Sequence, residues 1–128
     1  MEMSTHIDVG VASKLGKYSD AVLTRDGRCW LHTSGTPGLA ADGSLPPDFE
    51  AQARLAWTHV MAMLDAAGMD ASHIVKLTQS LIHRSDLDTY RAIRNDFLGD
   101  ARPASMLSFV NGLVMPGMLI ELEVIAAR

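Results

Sequence analysis

The sequence predicts an α+β fold in which two helices cover one face of a single mixed sheet. Three observations predict it. Short segments near both ends alternate apolar and polar residues, as strands do. Two segments between them carry apolar residues at helical spacing. The elements then follow in the order β-β-α-β-α-β-β, which is an α+β order. A length of 128 residues suits one domain, spanning 1–128, with residues 1–15 mixed in character and partly irregular.

Each element has its own signal. AVLTRDGRCWLHTSG reads as a hairpin, with strands over 21–24 and 28–33 and a turn at Asp26-Gly27. GTPGLAADGSLPPD is a loop with a second turn at Asp42-Gly43. DFEAQARLAWTHVMAMLDAAG is the first helix, with Asp48 as N-cap and Gly68 as its stop. Ala53, Ala56, Val60, Met63, Leu64 and Ala67 form its apolar face, and the methionines read as core packing.

HIVKLTQSLI, over 73–82, is a strand with Val75, Leu77 and Leu81 on one face and Lys76, Thr78 and Ser80 on the other. SDLDTYRAIRNDFLG is the second helix, with Ser85 as N-cap and Asp88 in the place of a capping-box acid. Strands over 105–110 and 119–126 close the chain. In the last one, Ile120, Leu122, Val124 and Ala126 should face the helices. Leu119, Glu121, Glu123 and Ile125 then share the outer face, a candidate oligomer interface whose two acids are either rim or functional residues.

Composition excludes several function classes. A hydrophobic fraction of 48% and a mean hydropathy of +0.10 supply a core. A net charge of -4 without a basic run argues against electrostatic binding of nucleic acid. The lone Cys29 allows no intramolecular disulfide and reads as a packed thiol. The N-terminus has no basic start and no long apolar run, and no stretch approaches a membrane span, so a cytoplasmic protein is the expectation. His6, His32, His59, His73 and His83 show no HExxH and no zinc spacing with cysteine, so no metal is expected. GxGxxG, Walker A and GxSxG are absent, and SGTPG at 34–38 opens no helix that could seat a phosphate.

Several pieces in a fixed order nonetheless point to a family. GKYSDAV, TSGTPG, EAQARLAWTHVMAMLDAAG, IVKLTQSLIHRSDLDTYRAIRNDF, RPASM and IELEVIAA resemble the RidA (YjgF/YER057c/UK114) family over about Gly16 to Ala126. The resemblance implies a chorismate-mutase-like fold. It implies a homotrimer with its sheets packed inside and three clefts between subunits. It further implies hydrolysis of small enamines and imines to a 2-oxo acid and ammonia, with no cofactor.

Such a substrate needs a cation for its carboxylate and a carboxylate to position water. By resemblance, Glu121 is the acid that orients the water, and Tyr18 and Ser34 line the cleft. Glu121 could instead be an interface acid, and Tyr18 an interface aromatic. The family's substrate-binding arginine follows Pro-Ala at the start of the penultimate strand, and here that position is Ser105. Ser105 has no His–Asp partner in view, so it reads as a binding residue and no nucleophile. Arg91 stands where many active members have a cleft asparagine. It either supplies the missing cation or is a solvated residue paired with Asp88 at i-3. The sequence therefore leaves open a deaminase, a divergent enzyme whose substrate carries no carboxylate there, and a trimeric small-molecule-binding protein without turnover.

Overall fold

The computed structural model describes residues 4–15, 19–25 and 28–128. Its strands are β1 (Ser4–Ile7), β2 (Ala21–Arg25), β3 (Cys29–Thr33), β4 (Thr36–Pro37), β5 (Ile74–Leu81), β6 (Ala104–Phe109) and β7 (Ile120–Ala127). Its helices are α1 (Ala12–Leu15), α2 (Phe49–Ala66) and α3 (Leu87–Leu98), with 3-10 turns at Ala71–His73 and Arg84–Asp86. The strands form one sheet in the order β1-β2-β3-β7-β5-β6, and the short β4 pairs with β7. β5 and β6 run parallel and the other pairs antiparallel, so the sheet is mixed as the element order predicts.

The core lies between the helices and one sheet face. Asp48 caps α2, its Oδ2 accepting from the Ala51 N–H at 3.0 Å, and Gly68 ends it with φ +69°. The predicted stripe from Ala53 to Ala67 is buried throughout. Trp57, fully buried on α2, stacks on Phe97 of α3 with ring centres 5.8 Å apart, which ties the two helices together. On β7, Ile120, Leu122, Val124 and Ala126 are fully buried, while Glu121, Glu123 and Ile125 alternate away from the helices as the sequence requires.

The structure differs from the sequence reading in three places. The N-terminal stretch carries a strand and a helical turn, because β1 pairs with β2 and the buried Asp20 accepts from the N–H groups of Val9 and Ala12. The Asp26-Gly27 turn lies outside the described residues. Ser85 does not cap α3: it sits inside the 3-10 turn Arg84–Asp86, and the N-cap residue Asp86 makes no side-chain bond. Val75 does not share the buried face of Leu77. Ile74 pairs with Ala126 and Lys76 with Ile125, so Val75 is the extra residue of a β-bulge and is 44% exposed. No described helix is long and apolar enough to cross a membrane.

Candidate functional site

Two groups of candidate residues lie on opposite faces of the sheet. The first surrounds Glu121 on the face away from the helices. Glu121 pairs with Ser80 of β5 on one side and Pro37 of β4 on the other. The strap joining β3 to β4 passes directly over it: a Cβ at Gly35 would lie 2.5 Å from Glu121 Oε1. Only glycine lets the backbone come that close.

Ser34 is fixed in this strap by its neighbours. Its N–H donates to the Asp20 carbonyl at 2.8 Å and its hydroxyl to the Ser19 carbonyl at 2.6 Å. The hydroxyl proton is spent, so toward any further partner the Ser34 oxygen can only accept. Glu121 is half-buried, and burial, with Glu123 adding repulsion, raises its pKa above the ordinary glutamate value. Among the described residues no hydrogen bond to the charged form opposes that rise. Glu121 is thus a carboxylate of raised proton affinity, the property that a proton acceptor needs.

The second group surrounds Ser105 on the helix side. In the parallel pairing of β5 with β6, Ser105 lies opposite Leu77, a fully buried core residue, so Ser105 faces the helices. The fully buried Gln79 donates from Nε2 to Ser105 Oγ at 2.8 Å and to the Met106 carbonyl at 3.1 Å. The Tyr90 hydroxyl of α3, also fully buried, donates to Gln79 Oε1. Burial pushes the Tyr90 phenol far above its usual pKa, so it stays a donor. Beside Ser105 opens a cleft of about 530 Å³, bordered by Leu77, Arg94, Asn95, Asp100 and Arg102 among others.

The structure does not bring Arg91 to Ser105. Arg91 is exposed on α3, with Nη1 3.6 Å from Asp88 Oδ1, the solvated pairing at i-3. The arginine of α3 that does border the cleft is Arg94, three residues on. Its signal was in the helical spacing: Tyr90 and Ile93 are buried, and Arg94 follows Tyr90 by four residues, on the inward side of the helix. Gln79 likewise announced itself as a polar residue at an inward strand position, between Leu77 and Leu81. Tyr18 lies outside the described residues. Cys29 is half-buried and packed against the core. His59 is half-buried and bonded to the Leu39 carbonyl at 2.7 Å. Among the described residues no three histidine, cysteine or acidic side chains could share a metal ion.

A mixed sheet backed by two helices, with a half-buried acid on its bare face and a cleft bordered by two arginines at its edge, defines a small α+β protein. Residues 11–128 match the family described as Endoribonuclease L-PSP, and the chain belongs to that family, the RidA/YjgF/UK114 proteins. It is 32% identical over 116 residues to the 2-iminobutanoate/2-iminopropanoate deaminase of Bos taurus, covering 89% of this chain and 82% of the relative. The crystal structure of the YjgF gene product of E. coli is 30% identical with a TM-score of 0.83, covering 97% of this chain and 98% of that one. E. coli TdcF with bound serine is 27% identical with a TM-score of 0.79, covering 89% of this chain and 90% of that one.

Proposed function

We propose that the protein hydrolyses the C=N bond of a small 2-imino acid, or of the enamine that tautomerises to it, in clefts between the subunits of a cytoplasmic homotrimer of single-domain chains. The observation that carries the reading is Glu121: half-buried, without a hydrogen bond to its charged form among the described residues, raised in pKa and closed over by the Gly35 strap. Water attacks the carbon of the protonated imine while one of its protons passes to Glu121. Glu121 returns that proton to the nitrogen of the carbinolamine. The C–N bond then breaks as C=O forms, ammonia leaves, and the hydroxyl proton goes to solvent. Protonated imine and water thus become a 2-oxo acid and ammonium. Ser34 and Tyr18 line this half of the cleft and Ser105 borders the other.

The deaminase activity of the bovine relative and the amino acid bound to TdcF support a small carboxylate-bearing substrate. Ser105, standing where the family's binding arginine is expected, favours a second reading, a trimeric binding protein without turnover. A coupled assay that generates 2-aminoacrylate in solution decides between them. The hydrolase reading expects pyruvate release accelerated well above the buffer rate. Release at the buffer rate refutes it, and restoration by Ser105→Arg would then establish the second.

A further inference from the structure

We propose that the cleft beside Ser105 is an anion subsite in which Arg94 supplies the charge and Ser105 an oriented proton, and that its ligand is the carboxylate of a 2-oxo or 2-imino acid. The identity of the ligand rests on the hydrolase reading; the grip itself rests on geometry.

The orientation of Ser105 follows from the buried chain behind it. Tyr90 donates to Gln79 Oε1, so Gln79 turns its amide nitrogen toward Ser105. That nitrogen has only protons to offer, so Ser105 Oγ accepts on its inner side. The hydroxyl proton of Ser105 is therefore left for the cleft. The residue behaves there as a donor of fixed direction, held by a glutamine that has no access to solvent.

The charge comes from α3. Arg94 is half-buried, and its guanidinium carbon lies 5.9 Å from the centre of the Tyr90 ring, the ring whose hydroxyl begins the buried chain. Among the described residues no carboxylate lies within 4.0 Å of Arg94, whereas Arg54 has two and Arg91 one. Arg102 borders the same cleft, so two cations face the single acid Asp100. α3 ends at this cleft and presents the negative end of its dipole, so an anion can be held there only if side-chain cations outweigh it. A guanidinium beside a hydroxyl donor offers a carboxylate two points of contact. One is charged, on the helix, and one is neutral, on the strand.

Titration calorimetry of the full chain with pyruvate, and with its neutral analogue pyruvamide, tests this. Pyruvate should bind and pyruvamide much more weakly. Arg94→Gln should weaken pyruvate about tenfold or more, as expected for loss of a charged partner, while its urea midpoint stays close to the parent's. Ser105→Arg in the Arg94→Gln background should restore binding. The proposal is overturned if the parent binds no pyruvate, if pyruvamide binds as well, if Arg94→Gln binds like the parent, or if Arg91→Gln is the variant that loses affinity. The two readings fail separately. Pyruvate binding through Arg94 without hydrolysis of 2-aminoacrylate sinks the hydrolase and leaves the grip. Hydrolysis with an unchanged KM in Arg94→Gln sinks the grip and leaves the hydrolase.

Discussion

Gly35→Ala isolates the role of Glu121 without touching the acid. The new methyl carbon would sit 2.5 Å from Glu121 Oε1, 2.6 Å from its Cδ and 3.1 Å from its Oε2, where ordinary contact begins at 3.4 Å. Relief requires the carboxylate to retreat by about 1 Å, and a displacement of that size at a catalytic group costs roughly a hundredfold in rate. The stability cost is small for three reasons. Gly35 has no positive φ, the obstacle is the end of a flexible side chain, and Gly→Ala recovers about 0.4–1 kcal/mol by restricting the unfolded chain. The expected result is a kcat/KM for 2-aminoacrylate hydrolysis down about a hundredfold, with a melting temperature within a few degrees of the parent's. If kcat/KM stays within about threefold of the parent's, Glu121 does not act from where it sits. If the variant unfolds, the strap is a folding element and the argument from carboxylate position fails.

Two further changes probe the two faces. Glu121 has a raised folded pKa, so between the unfolded and folded values the native state holds more protons and stability falls as pH rises. Glu121→Gln should therefore melt no lower than the parent at pH 7 while losing about a hundredfold or more in rate, and the parent's rate should fall with acid at a pH above the ordinary glutamate range; an acid limb at the ordinary value would contradict this. On the other face, Gln79→Leu should cost about 2 kcal/mol in urea unfolding by leaving the buried Tyr90 hydroxyl unpaired, and adding Tyr90→Phe should recover about 1 kcal/mol. Simple additivity of the two changes would show that the chain from Tyr90 to Ser105 is not a unit.

What could be read from the sequence was what depends on local repetition. α2 has a cap, a stripe and a glycine stop within one stretch, and β7 alternates so regularly that its buried face could be named residue by residue. The remainder depends on partners distant in the chain. β1 and β4 are four and two residues long, too short to show a period, and exist because other strands lie beside them. The bulge at Val75 is a fact about the register with β7, and no feature of HIVKL reveals it. The candidate site divides in the same way. The outward position of Glu121 was legible from the alternation of β7, and its candidate role came from the resemblance alone. Arg91 was singled out by matching a position along the chain, whereas Arg94, three residues on, is the α3 arginine that borders the cleft beside Ser105. The opposed faces of Ser105 and Glu121 follow from register: Ser105 pairs with Leu77 and Glu121 with Ser80, an odd number of residues apart on β5, which a list of elements does not specify.

That opposition has a consequence for how a cleft is assembled. β6 and β7 lie on either side of β5, so Ser105 and Glu121 are offset by two strand spacings, about 10 Å, and by three residues along β5, about 10 Å more, and point to opposite faces. A three-carbon acid cannot touch both in one chain. If hydrolysis needs Glu121 on the water and Arg94 with Ser105 on the carboxylate, each working cleft takes one set from each of two neighbouring subunits. Glu121→Gln and Arg94→Gln are then defective in different halves of the cleft. In trimers co-assembled from equal amounts of both variants, a cleft is intact when its Glu121 comes from one variant and its Arg94 from the other. Random mixing makes that true of about one cleft in four, so about a quarter of the parent activity should return from two variants that have little alone. Co-expression with two affinity tags, purification through both and the 2-aminoacrylate assay give the measurement, after correction for the pure trimers removed by the tags. Activity no greater than the sum of the separate variants would mean that both residues serve one chain, and the cleft would have to be redrawn on a single face of the sheet.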